Sequence, residues 1–406
     1  MIPTYVPSYV KKTSFILLFI VSFFLFYSVV GVNQPIYAIP DFNFGTAGDW
    51  GCSSNTQSTV SNINGRGPEL VLALGDYSYQ SSATCWLNAI QPIDGVTRIN
   101  IGNHENQANE DFNTYLSHFG LSNPYYSYNY QNVHVLTIAT ESSFSSGSSQ
   151  YNFVVNDLQT ASQNPNIKWI IVNFHKVMYT SPNTCGSSSC SNSGSTAQSL
   201  RNTYHALFDQ YGVDLVLQGH VHNYQRTYPI KYSGGSSPTV TDSNSNNYID
   251  PQGEIFATVG TGGVNFHALS GKAAFVVSQQ DTKFGGLNLD FTNDGTEVTG
   301  KFFANDGTLM DQFTITKSPN IPPVANNQAV TVNKDTPTPI TLTATDANND
   351  ALTCSIVAQP LHGTIPPTGA CGVARTYTPV AGYVGPDSFT FKANDGTIDS
   401  NTATVT

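Results

Sequence analysis

The chain has 406 residues, with Lys+Arg 16 against Asp+Glu 27 and a formal net charge of −11. So few basic residues cannot build the clustered positive surface that a polyanion demands, which argues against a nucleic-acid partner. A hydrophobic fraction of 39 % with 12 % aromatics is too high for a wholly disordered chain, and the length suits two or three domains at about 150 residues each.

Lys11 and Lys12 precede an apolar run from Phe15 to Val32, and a small residue, Ala38, follows at a plausible cleavage point. Residues 1–38 therefore read as a secretory signal, or as a membrane anchor through residues 14–32 because the run is long for a signal. Either reading predicts a secreted or cell-surface protein. All six cysteines follow this segment, and an even count in an oxidising compartment predicts disulfides. Six cysteines allow fifteen pairings. Joining neighbours within one region gives Cys52–Cys85, Cys185–Cys190 and Cys354–Cys371, and no CxxC spacing supports a Cys-based zinc site.

From residue 39 to 317, strand-like runs (Phe42–Ala47, Leu70–Leu74, Arg98–Ile101, Val133–Ala139, Trp169–Val172, Val213–Leu217) alternate with helical spacing near Tyr151–Ala161 and Leu200–Gln210. That alternation predicts helices layered over a buried sheet. After Ile255 the pattern turns all-β, with strands near Ile255–Val259, Leu287–Phe291, Val298–Phe303 and Gln312–Thr316. Ser181–Thr196 and Tyr232–Asp250 read as long loops, and Asn-Asp-Gly at Asn293, Asn305 and Asn394 as hairpin turns.

A polar motif stands just after each of five apolar strands: Gly48-Asp49-Trp50-Gly51, Gly75-Asp76-Tyr77-Ser78-Tyr79, Gly102-Asn103-His104-Glu105, Val172-Asn173-Phe174-His175 and Gly219-His220-Val221-His222. In a layered α/β fold the carboxyl ends of strands gather at one edge, where ligands bind. Carboxylate, imidazole, amide and phenol oxygens suit hard or borderline metals, and the two oxygens of Asp76 suit a bridge between two ions. His118, His134, His205 and His362 fit no motif and read as packing or surface residues. His267, after Gly260–Gly263, is a candidate pocket residue.

Taken in order, the motifs resemble those of the calcineurin-like metallophosphoesterases, and specifically the purple acid phosphatases, over residues 45–226. Asp49 lacks the histidine two residues on that the wider family carries, and Tyr79 of a GDxxY motif stands in for it. The resemblance implies a four-layer α/β/β/α sandwich. It implies Fe³⁺ on Asp49, Asp76, Tyr79 and His222, and a divalent Fe²⁺, Zn²⁺ or Mn²⁺ on Asp76, Asn103, His175 and His220. His104, next to a ligand, is the candidate catalytic residue that contacts phosphate or protonates the leaving oxygen. Glu105, Lys176, Tyr224 and Arg226 are candidates for supporting the ligands or the substrate. Many relatives carry another histidine soon after the equivalent of His175; here Lys176–Tyr204 contains none.

Ser318–Pro323 reads as a proline-stiffened linker. Residues 324–406 carry short alternating runs at Ala329–Val332, Pro339–Ala344, Leu352–Val357, Arg375–Pro379, Ser388–Lys392 and Thr402–Thr406. They predict a small β-sandwich that resembles bacterial immunoglobulin-like or cadherin-like modules, suited to contact with a cell surface or matrix. Asp346, Asn348 and Asp350 alternate like calcium-loop oxygens, with a plain polar turn as the other reading. The sequence thus predicts an exported acid phosphatase that hydrolyses small phosphomonoesters by metal-bound hydroxide. The alternatives are a phosphodiesterase or nucleotide hydrolase on the same metals, and a surface adhesion protein with a silent phosphatase domain.

Overall fold

The computed structural model describes residues 39–105, 110–348 and 350–406, so the signal or anchor reading of residues 1–38 lies outside the described residues. Among the described residues no helix is long and apolar enough to cross a membrane.

Two seven-stranded sheets dominate residues 42–316. The first places β1 (Phe42–Ala47), β2 (Leu70–Ala73) and β3 (Thr97–Ile99) in parallel at one side. It continues antiparallel from β1 through Gly285–Thr292, Glu297–Ala304 and Leu309–Thr316. The second pairs β4 (Tyr126–Tyr130) with β5 (Val133–Thr137) as a hairpin, then runs in parallel through β6 (Trp169–Phe174), β7 (Leu215–Gln218) and Ile255–Val259. β8 (Tyr224–Thr227) closes antiparallel on Ile255–Val259.

The alternation of side chains sets the layers. Trp169, Ile171, Leu215, Leu217, Ile255 and Ala257 of the second sheet share one core with Phe44, Leu289, Phe291 and Phe313 of the first. Their neighbours Ile170, Val172, Val216 and Phe256 point the other way, into a core with Val154 and Leu158 of helix Ser149–Ser162 and with Leu200 and Phe208 of the helices that follow β6. Successive strand residues face opposite sides, so a continuous apolar strand is buried twice over, at about 1.5–3 kcal/mol for each large side chain. On the far side of the first sheet, helix Ser54–Asn64 lays Ile63 against Gly45 and Gly286, where a Cβ would collide with it. Helices outside, two sheets inside: the fold is the expected α/β/β/α sandwich.

Helix Ser54–Asn64 and strands β4 and β8 went unrecognised in the sequence. The helix is built of Ser, Thr and Asn with only two buried apolar side chains, Val60 and Ile63. β4 reads Tyr-Ser-Tyr-Asn-Tyr, too polar to register as an apolar run.

Beyond residue 323 all structure is β. Thr338–Thr341, Ala374–Pro379 and Gly363–Thr364 form one sheet, and Thr368–Ala370, Thr353–Ala358, Phe389–Asn394 and Ala403–Val405 another. Ile340, Cys354, Tyr377, Phe391 and Val405 fill a core shared by the two. The expected strand at Ala329–Val332 does not form; the segment holds to the edge only through single bonds such as Val330 N–H to the Thr406 carbonyl. All three disulfides join the neighbours expected, and no free cysteine remains among the described residues.

Candidate metal centre

The five motifs converge because each follows a strand that ends at the same edge of the paired sheets. Asp49 lies two residues beyond β1, Asp76 three beyond β2, Asn103 four beyond β3, His175 directly after β6 and His220 two beyond β7, with His222 entering β8. Four of these residues hold the left-handed backbone: Asp49 at φ 58°, Asp76 at 53°, Tyr79 at 53° and His220 at 66°. Non-glycine residues adopt that region at a cost of order 1–3 kcal/mol, and such costs collect where a function demands the geometry. Gly75 and Gly102 permit the crowding: a Cβ on Gly75 would stand 2.8 Å from His175 Nδ1, and one on Gly102 would collide with Asp76 Oδ1.

The side chains form two quartets that share one oxygen. Tyr79 Oη lies 3.2 Å from Asp49 Oδ1, 3.3 Å from Asp76 Oδ2 and 3.0 Å from His222 Nε2, and His222 Nε2 is 3.3 Å from Asp49 Oδ1. On the other side, His175 Nε2 lies 3.1 Å from Asp76 Oδ2, 3.2 Å from Asn103 Oδ1 and 3.1 Å from His220 Nδ1. All seven expected ligands are therefore in one place, divided as the resemblance implied, with Asp76 Oδ2 between the halves.

Each imidazole has its other nitrogen engaged. His175 Nδ1 donates to the Leu74 carbonyl at 2.8 Å and His222 Nδ1 to the Asn265 carbonyl at 2.8 Å, while His220 Nε2 meets Ser189 Oγ at 2.7 Å. An outer partner of this kind fixes the tautomer and aims the remaining nitrogen inward, as metal-binding histidines require. The carboxylates are held from behind: His220 N–H donates to Asp49 Oδ2 at 2.8 Å and His104 N–H to Asp76 Oδ1 at 2.9 Å. Glu105 accepts from the backbone N–H groups of Asp76 (2.9 Å), Tyr77 (2.7 Å) and Gly102 (3.3 Å), tying two motif loops together.

The cluster is buried and its charges are strongly coupled. Burial and then the Asp49 and Asp76 carboxylates hold the Tyr79 phenol far above its usual value. Burial, followed by the charge of His175, pushes His220 down to about 3. Burial opposes a charged His175, yet the Asp76 carboxylate outweighs it and lifts His175 to about 10. Glu105 rises to about 8 through burial and then the field of Asp76. Acceptor atoms gathered this closely away from water suit cations, and protons compete for the same atoms. A phenol, an amide oxygen, two carboxylates and three imidazoles match hard and borderline ions, so the residues present fit a pair of them.

His104 lies at the mouth. Its side chain is 44 % exposed, its Nε2 stands 3.9 Å from Asp76 Oδ2, and its ring packs at 4.1 Å on that of Tyr79. Lys176 pairs with Glu141 at 2.7 Å. Tyr224 and Arg226 point elsewhere: both bond Asp311, and Arg226 also reaches Tyr248, so they tie the second sheet to the first. His267 stacks on His222 at 3.9 Å, and its Nδ1 accepts the His222 N–H at 3.1 Å. Ser189 and the Asn265 carbonyl escaped the sequence reading. The only hint of the former was its place in the loop that Cys185 and Cys190 close. In the C-terminal region, ligand atoms of Asp346, Asp350 and Asp395 lie within 4.8 Å of one another, while Asn348 Oδ1 accepts the Ile321 N–H instead of joining them.

Comparisons with known proteins agree with this geometry. Residues 35–224 match the calcineurin-like phosphoesterase family and residues 320–406 the bacterial Ig domain family. Phosphoenolpyruvate phosphatase of Allium cepa is 27 % identical over 261 residues, covering 57 % of this chain and 51 % of that protein. Purple acid phosphatase 15 of Arabidopsis thaliana is 23 % identical over 256 residues, covering 53 % and 44 %. The chain thus spans about half the length of the curated relatives it matches. Purple acid phosphatase PPD1 from yellow lupin (Lupinus luteus) seeds shares the fold, with a TM-score of 0.60, 21 % identity and coverage of 69 % of this chain and 54 % of that one.

Proposed function

Residues 35–224 are a calcineurin-like phosphoesterase domain with purple acid phosphatase homologues, and from that premise we propose that the chain is an exported acid phosphatase working on small phosphomonoesters. One observation carries the reading: two quartets of inward-facing donors that share Asp76 Oδ2. Asp49, Asp76, Tyr79 and His222 would hold a ferric ion, and Asp76, Asn103, His175 and His220 a divalent one. Such a pair of cations, when bound, offsets charge in phosphoryl transfer and acidifies water.

The chain's own residues supply the rest. Asp76 keeps both halves in register through its shared oxygen. Glu105 holds the Asp76 and Tyr77 backbone, so the two loops cannot drift apart. His104 stands at the exposed edge, where a substrate ester oxygen would arrive, and there it binds the phosphoryl group or gives a proton to the leaving oxygen. No serine or cysteine stands among the inward-facing donors, which fits hydrolysis without a covalent enzyme intermediate. Two disulfides before residue 317 and one after it fit an oxidising compartment.

The test pairs metal analysis with hydrolysis of mono- and bis-nitrophenyl phosphate. The expected result is two ions at the centre, one of them iron, with visible absorption from the Tyr79 phenolate and faster hydrolysis of the monoester. A colourless iron-loaded protein would remove Tyr79 from the ligand set. Preference for the diester would move the assignment to a phosphodiesterase.

A further inference from the structure

A second polar cluster lies on the helix-covered face of the second sheet and shares no residue with the centre above. His205 ends a π-helical turn, Arg201–His205, between helices Ser195–Leu200 and Ala206–Tyr211. Asp209 follows four residues on, which puts both side chains on one helix face. Glu254 stands directly before strand Ile255–Val259, its backbone doubly bonded to Ile230. His205 is fully buried and Glu254 is 1 % exposed. One ligand atom from each of the three lies within 4.8 Å of the others.

Most of the surrounding polar atoms are accounted for. His205 Nδ1 meets Tyr179 Oη at 2.8 Å and its Nε2 meets Glu254 Oε2 at 3.1 Å, while Asp209 Oδ2 accepts the Tyr232 N–H at 2.9 Å. Two buried oxygens are left over, Glu254 Oε1 and Asp209 Oδ1: neither meets a donor group of another residue, and the two carboxyls stand within hydrogen-bond reach of each other. Among the described residues no Lys or Arg comes within ion-pair distance of either carboxylate. Arg201 is a buried cation nearby, but its Nη atoms donate to the Met178 and Asn192 carbonyls and its Nε meets no acceptor, so it neutralises neither carboxylate. Two carboxylate oxygens facing each other away from water, each without an outside donor, are costly unless something positive lies between them. Burial pushes His205 down to about 3, leaving it as the neutral imidazole that a metal binds.

We propose that His205, Asp209 and Glu254 form a third cation site, separate from the catalytic centre, which takes a zinc- or manganese-class divalent ion and braces the helices after β6 against the second sheet. One imidazole nitrogen with two carboxylate oxygens is the donor set of such ions, and two negative charges balance a doubly positive one. The rival arrangement is a proton shared by Glu254 and Asp209. From the catalytic reading the inference takes only the count of two ions; the loss of one ion in each variant reads the third site by itself.

Zinc counting on the full chain separates the two. The protein is loaded with excess Zn²⁺, desalted and analysed for bound metal, alongside Glu254→Gln and the partly exposed Asp209→Asn. The expected result is three equivalents in the unaltered protein and one fewer in each folded variant, with turnover of nitrophenyl phosphate within about twofold of the parent. Two equivalents or fewer in the unaltered protein would overturn the site in favour of the shared proton. So would an undiminished count in either folded variant, and the count in the unaltered protein decides the matter if neither variant folds.

Discussion

The phosphoesterase region and the Ig region each bring several carboxylates into a space a few ångströms across, yet they settle the charge differently. At the strand ends, Asp49 and Asp76 are 0 % and 1 % exposed, and their inner oxygens face a phenol and three imidazoles. In the Ig region, Asp346 Oδ1 accepts the backbone N–H groups of Asn348 and Asp350, and Asp395 Oδ1 accepts those of Thr397 and Ile398. The first cluster turns its acceptors toward one another and away from water. The second turns them toward its own backbone, as Asp does in ordinary turns. Sequence spacing makes both look like ligand sets; only the direction of the lone pairs tells them apart.

The comparison breaks most sharply at Asp76, which belongs to both quartets. Asp76→Ala should cost several kcal/mol of transition-state stabilisation, roughly a thousandfold or more in turnover. Exhaustive chelation should do the same and lower the melting temperature as well, because bound ions stabilise only the folded form. Asp346→Ala in the Ig region should leave turnover unchanged. Steady-state rates on nitrophenyl phosphate and a thermal melt decide both.

His104 comes next. It touches the ligand cluster but is not counted among the ligands, so His104→Ala should lower kcat by about 10²–10⁴-fold while metal content and melting temperature stay put. Loss of metal in that variant would make His104 a ligand and redraw the quartets.

That ordering also explains which parts of the site were legible in the sequence. Asp49, Asp76, Asn103, His175, His220 and His222 announce themselves because a polar residue, usually beside glycine, interrupts each apolar run at the end of a strand. Tyr79 is visible only through the GDxxY resemblance, since spacing alone gives a tyrosine three residues past an aspartate no meaning. Ser189 sits in a stretch where nearly every residue is Ser, Gly or Asn, so nothing marks the one hydroxyl that reaches His220. The Asn265 carbonyl has no side-chain signature at all. Tyr224 and Arg226 misled by their nearness to His222: their partner, Asp311, is 85 residues from Arg226 along the chain. His205 read as packing because its two carboxylate neighbours come from a helix and a distant strand.

A smaller effect sharpens the contrast within the centre. Ser189 is the outer partner of His220 and of no other ligand, so Ser189→Ala should weaken one ion about 10–100-fold and leave the quartet around Tyr79 as it was. Competition with a divalent chelator reads the first effect, and the phenolate absorption of Tyr79 reads the second. Equal loss at both positions would mean that the loop closed by Cys185 and Cys190 supports the whole cluster and not one histidine.

The smallest expected effect lies in the Ig region, where calcium is the ion to try. Asp346 Oδ1, Asn348 Oδ1 and Asp395 Oδ1 already accept backbone N–H groups, and Asp395 Oδ2 accepts from Asn320. Among the described residues of this turn, Asp346 Oδ2 alone is a buried side-chain atom without a partner. A calcium ion at protein sites takes 6–8 oxygens, and to collect them here it would have to strip bonds that hold the turn. Added calcium should therefore stabilise the region by less than about 1 kcal/mol, a melting shift below about 4–8 °C for a domain of this size. Asp346→Asn, which keeps an acceptor at Oδ1, should be similarly mild. A calcium-dependent rise well beyond that, abolished by Asp346→Asn, would place a cation in both regions, and the direction of the lone pairs would no longer separate a metal centre from a turn.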